Sequence, residues 1–284
     1  MNEALSNLGS ENRTFAPSSE FAAQANAKSD IYQEADRDYL AFWEKQADQL
    51  YWHRKWDQVL DWQSPFAKWF IGGKLNASYN ALDRHVLEGR GNRIAFLFEG
   101  EPGDSKQITY SQLLTEVKKC ANALTSLGIK SGDRVAIYMP MIPEAAIAML
   151  ACARVGAAHS VVFGGFSADS LLARIQDADA SLVITADGGF RKGSAFALKS
   201  IVDEALKGKT NVKNVLVVRR TGQEVSFTTR DIWWHELVDK QSSEHVAQGF
   251  DSEHPLFILY TSGTTAKPKG IAHTTGGYLT QAAF

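Results

Sequence analysis

The feature that most constrains this chain is a regular alternation of strand-like and helix-like segments that begins at Asn92. Short apolar runs rich in Val, Ile and Leu are separated by longer segments whose apolar positions recur at helical spacing. This alternation predicts an α/β fold, with a mostly parallel sheet covered by helices on both faces. The strand candidates are Ile94–Phe98, Arg134–Tyr138, His159–Phe163, Leu182–Ala186, Asn214–Val218 and Leu256–Tyr260.

Two of the intervening helices carry clear boundary signals. Thr109 is followed by Gln112 in the spacing of a capping box, and Gly128 follows the last apolar position of that helix. The next helix has Pro143 near its start and Gly156 after its last residue, which is the usual asymmetry of helix ends. Further helices are predicted over Ala168–Ala178 and Leu198–Leu206.

The N-terminal part has a different character. Residues 1–30 are rich in Ser, Asn, Ala and Glu without periodicity, which predicts a flexible arm. An aromatic-rich helical pattern extends from Ile31 to Trp62, and the segment Phe66–Arg90 has the composition of a loop leading into a short helix. We therefore expect a small helical module over 31–90, which packs through its aromatic residues on a larger domain over 91–284.

Composition and charge exclude several classes of protein. The chain has 284 residues, 44% of them hydrophobic, and a formal net charge of −2, so it has no basic surface for nucleic acid. No apolar run is long enough to span a membrane, and the N-terminus lacks the apolar region of a secretion signal, so we expect a cytoplasmic protein.

Cys120 and Cys152 lie on apolar helical patterns and are expected to be buried thiols. The seven histidines show no metal-ligand spacing, so no metal site is predicted.

The segment Thr261–Gly270, directly after the last strand candidate, has the composition of a polyphosphate-binding loop. It combines four hydroxyl side chains, two lysines and two glycines in ten residues. Glycines let the backbone approach an anion, hydroxyls donate hydrogen bonds, and lysines supply charge. The spacing is not that of a Walker A loop. The alternative, a solvated loop of small polar residues, explains the paired lysines less well.

This loop resembles the signature of the adenylate-forming superfamily, whose usual form is Tyr-Thr-Ser-Gly-Ser/Thr-Thr-Gly-Lys-Pro-Lys-Gly. Other segments narrow the resemblance to the acetyl-CoA synthetase family, and together they extend from about Ile31 to the C-terminus. They are Lys74-Leu-Asn-Ala-Ser-Tyr-Asn80, Asp83-Arg-His85, Tyr138-Met-Pro-Met-Ile-Pro-Glu-Ala-Ala146, Val162-Phe-Gly-Gly-Phe-Ser167, Trp233-Trp-His-Glu-Leu237 and His273-Thr-Thr-Gly-Gly-Tyr-Leu279.

The resemblance implies a ligase reaction in two steps. ATP and a carboxylate first form an acyl-adenylate with release of pyrophosphate, and the thiol of coenzyme A then displaces AMP. The resemblance assigns the catalytic stabilisation of pyrophosphate to Lys269, Thr264 and Thr265. Phosphate binding would fall to Thr261, Ser262, Gly263, Thr264, Thr265, Lys267, Lys269 and Gly270. It also implies Mg²⁺, with ligands expected beyond residue 284. Ala266 replaces the family's glycine, and a Cβ there would cost about 1 kcal/mol if φ is positive.

A second segment, Asp187-Gly-Gly-Phe-Arg-Lys-Gly-Ser194, resembles the part of acetyl-CoA synthetases that holds the nucleotide end of coenzyme A through an Arg-x-Gly-Arg run. The resemblance implies a coenzyme A site at Arg191, Lys192, Gly193 and Ser194. Ser194 stands where the second arginine is expected. Because serine can neither chelate phosphate in a bidentate way nor stack on adenine, this difference is expected to weaken the binding of coenzyme A.

The resemblance further implies that the chain is the N-terminal portion of an AMP-forming acetate-CoA ligase, and that the adenine site, acyl pocket, hinge and C-terminal domain follow Phe284. On this interpretation the 284 residues alone are expected to be inactive and to expose apolar surface and a sheet edge. Two alternatives stay open: a propionyl- or other short-chain acyl-CoA synthetase, and a non-catalytic module that binds nucleotide or a partner. The oligomeric state is not predicted.

Overall fold

The computed structural model describes residues 13–261 and 268–284. The described residues form two compact units that divide after Lys45. Helices α1 Ser19–Gln24, α2 Asp30–Arg37 and α3 Tyr39–Ala47 cover the N-terminal part, as the sequence predicted from Ile31 onward. Helix α1 was not foreseen, because it lies in the segment expected to be a flexible arm; the Ser18 hydroxyl caps it by accepting a hydrogen bond from the Phe21 N–H. The division into domains at residues 30 and 90 stays a prediction.

The prediction that the helical pattern continues to Trp62 is wrong, and so is the loop predicted from Phe66. Strands β1 Gln58–Gln63 and β2 Phe66–Ile71 form an antiparallel hairpin, and β3 Lys74–Leu75 pairs with a later strand. The Trp52 ring packs edge-on against Phe70 of β2, with ring centroids 5.5 Å apart. The aromatic spacing therefore reflects packing on a hairpin, in which aromatic side chains are as favourable as in a helix.

Two short π-helical turns, Tyr79–Asp83 and Val86–Arg90, lead into the alternating part of the chain. Strands β4 Ile94–Glu99 and β5 Ser105–Thr109 form an antiparallel hairpin, and α4 Tyr110–Ser126 follows. The capping box is confirmed, because Thr109 and Gln112 each accept a hydrogen bond from the other's backbone N–H through their side chains. Gly128, with φ of 82°, lies just after the end of α4 in the left-handed region that favours glycine.

The strands of the central sheet are β6 Arg134–Met139, β7 Ala158–Phe163, β8 Leu182–Ala186, β11 Asn214–Val218, β12 Asp231–Trp233, β14 Pro255–Thr261 and β15 Lys269–Thr274. Their order across the sheet is β12–β11–β8–β6–β7–β14–β15. Neighbouring strands are parallel except β14 and β15, which confirms the mostly parallel sheet. The short strands β9 Gly188–Arg191, β10 Ser194–Ala197 and β13 Phe250–Asp251 pair outside it.

Helices cover the middle of the sheet on both sides. Every residue of β8 is buried, as are all but the first of β6, so both faces of these strands are shielded from solvent. The remaining helices are α5 Pro143–Val155, α6 Ala168–Asp177, α7 Lys199–Ala205, α8 Trp234–Leu237 and α9 Thr275–Ala283. Helix α4 packs on α5, and α6 packs on α7. Pro143 at the first position of α5 and left-handed Gly156 after it confirm the predicted helix ends.

The expected exposure of apolar surface is confirmed on β7, β14 and β15. Phe163 is 61% exposed, and Leu259 and its cross-strand partner Ile271 are each almost half exposed.

Cys120 and Cys152 are buried free thiols, as predicted, and burial raises the pKa of Cys152 to about 12. None of the helices in the described ranges combines the length and apolar character needed to cross a membrane.

A buried histidine on β7 makes the stability of the second unit depend on pH. His159 is almost fully buried, and its Nδ1 has no hydrogen-bond partner among the described residues. Burial lowers the pKa of His159 to about 4, because the charged imidazolium would be poorly solvated there. The pKa of an unfolded histidine is near 6.5, so at acidic pH the unfolded state binds the proton more readily than the folded state.

Lowering the pH from 7 to 5 is therefore expected to reduce the free energy of unfolding by about 2 kcal/mol through His159 alone. This contribution is complete above pH 6.5 and is lost as the pH falls towards 4. Urea titrations at both pH values would measure it, with His159→Phe as the variant that keeps a ring but cannot titrate. Burial also lowers the pKa of His245, which adds in the same direction in both proteins. Equal losses in the two proteins would contradict the assignment to His159.

Candidate functional site

The predicted phosphate-binding loop connects β14 to β15, which run antiparallel. Thr261 at the end of β14 is paired with Lys269 at the start of β15, and Tyr260 is paired with Gly270. The structure thus brings Thr261, Lys269 and Gly270 together at the end of the hairpin where the two strands are connected. The other predicted phosphate-binding residues, Ser262, Gly263, Thr264, Thr265 and Lys267, lie outside the described residues, as does Ala266. Strand β15 was not foreseen, since the loop was expected to continue to Gly270.

Tyr260 fixes the end of β14 just before the loop. Its hydroxyl donates a hydrogen bond of 2.6 Å to the Asp177 carboxylate at the end of α6, and the Arg174 guanidinium lies 5.4 Å from its ring centre. Burial, followed by the contact with Asp177, raises the pKa of Tyr260. A Cβ on Gly270 would lie only 3.1 Å from the Tyr260 ring, so glycine allows the two strands and this ring to pack closely. Tyr260 thus holds the end of β14 to α6 and packs closely against Gly270 of β15.

The predicted coenzyme A segment also forms a hairpin. Strands β9 and β10 are antiparallel, with Arg191 paired to Ser194, and Lys192 and Gly193 form the two-residue turn between them. Both turn residues have positive φ, 52° and 75°, as the type I′ hairpin turn requires. All four residues predicted to bind coenzyme A are exposed and lie together at this tip. That they contact coenzyme A stays a prediction.

Asp187, at the start of this segment, has a structural role that the sequence interpretation missed. It is fully buried, and its carboxylate accepts hydrogen bonds from four backbone N–H groups. The donors are Gly188, Arg220, Thr221 and Gly222, at 2.7–3.0 Å. Such hydrogen bonds offset the loss of hydration that burial imposes on a carboxylate. Asp187 thereby ties the first residue of the β9–β10 hairpin to the loop after β11. The available signal was a lone acidic residue between an apolar strand and two glycines.

Arg220, in the loop after β11, connects the β4–β5 hairpin to the β9–β10 hairpin. Its guanidinium lies over the rings of Phe98 on β4 and Phe190 on β9, 5.5 and 5.2 Å from their centres. It also forms a bidentate ion pair with Asp104, with N–O distances of 2.5 and 2.9 Å. The hydrogen bond from Arg220 lowers the pKa of Asp104 and raises that of Arg220. The β4–β5 turn is thus held against the β9–β10 hairpin.

The described residues do not form a site for the magnesium ion that the resemblance implied. Within residues 13–261 and 268–284, no three His, Cys, Asp or Glu side chains lie close enough together to hold a metal ion.

Comparison with known proteins agrees with the resemblance. The profile of the AMP-binding enzyme family matches residues 82–284, and a profile described as the acetyl-coenzyme A synthetase N-terminus matches residues 29–81. Acetyl-coenzyme A synthetases of Streptomyces avermitilis and Streptomyces coelicolor are each 62% identical over 285 residues, covering 100% of this chain and 44% of the relative. That of Deinococcus radiodurans is 51% identical over 98% of this chain and 44% of its own length. The chain thus spans less than half the length of these relatives.

Proposed function

The chain belongs to the family of AMP-binding enzymes. From this membership we propose that it forms the N-terminal portion of an AMP-forming acid-thiol ligase, which joins acetate to coenzyme A. ATP and acetate react to acetyl-adenylate and pyrophosphate, and coenzyme A then displaces AMP to give acetyl-CoA. The observation that carries the proposal is the loop rich in hydroxyls and lysines between β14 and β15, in a chain 62% identical to acetyl-coenzyme A synthetases. That the chain acts in the cytoplasm, and that alone it is inactive, stay predictions.

In the first step, the residues of the loop would bind the phosphate groups of ATP. Thr261, Lys269 and Gly270 form the stem of the loop, so their backbone is fixed by strand pairing before the ligand arrives. The Lys269 ammonium would stabilise the charge that develops on the pyrophosphate leaving group, together with the hydroxyls of Thr264 and Thr265. Groups that are already in place stabilise such charge more effectively than groups that must reorganise. Ser262, Gly263 and Lys267 would complete the phosphate contacts.

We expect Lys269→Ala to slow acetyl-adenylate formation at least about tenfold, because an interaction with the leaving group is lost. A suitable protein is a chimaera in which this chain replaces the matching 44% of the Streptomyces coelicolor relative. Acetate-dependent exchange of labelled pyrophosphate into ATP measures the step. Lys209→Ala removes an exposed lysine outside the loop and serves as the matched control. An unchanged exchange rate in Lys269→Ala would rule out the leaving-group role.

The choice of carboxylate is tested in the full-length protein that carries this chain, since in the chimaera the residues expected to form the acyl pocket come from the relative. Exchange that depends on acetate more strongly than on propionate is the expected result, since the relatives are named for acetyl-coenzyme A. The reverse preference would favour a propionyl-specific enzyme, and the absence of exchange with any short-chain carboxylate would favour a non-catalytic module.

In the second step, the tip of the β9–β10 hairpin would hold the nucleotide end of coenzyme A. Arg191 and Lys192 supply positive charge there, and Gly193 presents a backbone N–H in an exposed turn. Ser194 can contribute one hydrogen bond but no charge. The hairpin would owe its orientation to Asp187 and Arg220, which hold its first strand in place through hydrogen bonds and ring contacts.

A further inference from the structure

An acidic side chain already binds the tip of the β9–β10 hairpin. Glu101 lies in the turn between β4 and β5, and its Oε1 accepts a hydrogen bond of 2.5 Å from the Gly193 N–H. Gly193 is the second residue of the hairpin turn and one of the residues proposed to contact coenzyme A. Both residues are exposed, so a dissolved anion can reach the same N–H group.

The position of Glu101 is set by the turn that carries it. Three residues further on, Asp104 forms the bidentate ion pair with Arg220, and Arg220 lies on Phe190 of the hairpin itself. Asp104 is thus fixed near Phe190, which lies in the second strand pair from the turn, while Glu101 reaches the tip. Because the Asp104–Arg220 ion pair already restrains the β4–β5 turn, the turn loses less conformational entropy when Glu101 binds Gly193 than a freely moving loop would.

The chemistry of the tip is that of an anion site. A backbone N–H in a tight turn, flanked by Arg191 and Lys192, attracts carboxylate and phosphate oxygens alike. The Glu101 carboxylate takes the place at Gly193 that a phosphate oxygen would take, and its charge opposes the approach of a second anion. Since Ser194 replaces an arginine in the resemblance, the positive charge available to outweigh Glu101 is smaller.

We propose that Glu101 is an internal competitor, which lowers the affinity of the β9–β10 hairpin for the phosphate groups of coenzyme A. The proposal rests on the proposed role of this hairpin in binding coenzyme A. It predicts that bound coenzyme A displaces the Glu101 carboxylate from Gly193, and that removal of the negative charge tightens binding.

The test uses the 284-residue chain and titrates it with coenzyme A at low ionic strength, following the backbone amide of Gly193 by NMR. We expect Glu101→Gln to bind coenzyme A about threefold or more tightly than the unaltered chain, with a gain that shrinks as salt is added. Glutamine keeps an acceptor oxygen, so this variant tests charge, and Glu101→Ala tests the loss of both charge and hydrogen bond. Glu99→Gln is the matched control, because it removes the same charge from an exposed position on β4.

Arg191→Ala separates the two levels of the proposal. If Arg191→Ala weakens binding while Glu101→Gln behaves like Glu99→Gln, the hairpin binds coenzyme A and the competition by Glu101 is wrong. If coenzyme A shifts the Gly193 amide in none of the proteins, or if Arg191→Ala binds as tightly as the unaltered chain, the proposed coenzyme A site fails and the inference fails with it. Tighter binding by both Glu101 variants, beyond that of Glu99→Gln, supports the inference.

Discussion

Replacing Asp83 by alanine is expected to destabilise the second unit by about 3–5 kcal/mol, the usual cost of leaving a buried charge without its partner. The Arg154 side chain is 1% exposed and forms a bidentate ion pair with Asp83, with N–O distances of 2.7 and 3.0 Å. Arg154 also donates to the His245 carbonyl oxygen at 2.7 Å. The pair joins a π-helical turn, the last turn of α5 and the loop that carries His245, so its loss loosens three segments at once.

Urea titrations of the chain and the variant at pH 7 measure this effect. Replacing both partners, as in Asp83→Leu with Arg154→Met, removes the charges together and is expected to recover much of the lost stability. Asp239→Ala, at an exposed position, should change the free energy of unfolding by less than about 0.5 kcal/mol. A loss below 1 kcal/mol for Asp83→Ala would mean that Arg154 is solvated by other means.

The second large effect is expected for Asp187→Asn, which should cost about 3 kcal/mol. The carboxylate accepts four backbone N–H bonds in a fully buried position. An asparagine of the same shape offers one acceptor oxygen and turns an NH₂ group towards donors, so at least one N–H of the set loses its partner. The same change should release the hairpin that begins at Gly188.

Two measurements separate these consequences. Urea titration gives the total cost, and hydrogen exchange of the Gly188 and Gly222 amides shows whether protection is lost locally. Asp239→Asn supplies an exposed control with the same chemical change. Unaltered exchange at both amides would contradict the role of Asp187 as the anchor of this hairpin.

Elements marked by local signals were predictable from the sequence. The capping box of Thr109 and Gln112, and the proline and glycine at the ends of α5, act within a few residues, so their effect can be seen without the fold. The apolar runs of the central strands were equally clear, because strands buried on both faces have little room for polar residues.

The failures came where distant contacts determine structure. The hairpin of β1 and β2 carries aromatic residues whose spacing also fits a helix. Only the packing of Trp52 on Phe70 in the folded protein shows that this segment forms strands. Strand β15 begins at Lys269 inside the segment interpreted as a loop, since its pairing with β14 replaces the expected irregular structure. In the candidate site, Glu101 and Gly193 are 92 residues apart, and no spacing rule connects them.

The strand order of the central sheet has a consequence for distances. The carboxyl ends of parallel strands share one edge of a sheet, so the β9–β10 hairpin after β8 and the loop after β14 leave from the same side. Two strands, β6 and β7, lie between β8 and β14, which places the two ends about 14 Å apart at the usual strand spacing. Under the proposed function, a thiol substrate held by its nucleotide at the β9–β10 hairpin would have to reach across about 14 Å to the loop after β14. The length of its flexible arm would then select among substrates, independently of the chemical groups at either end.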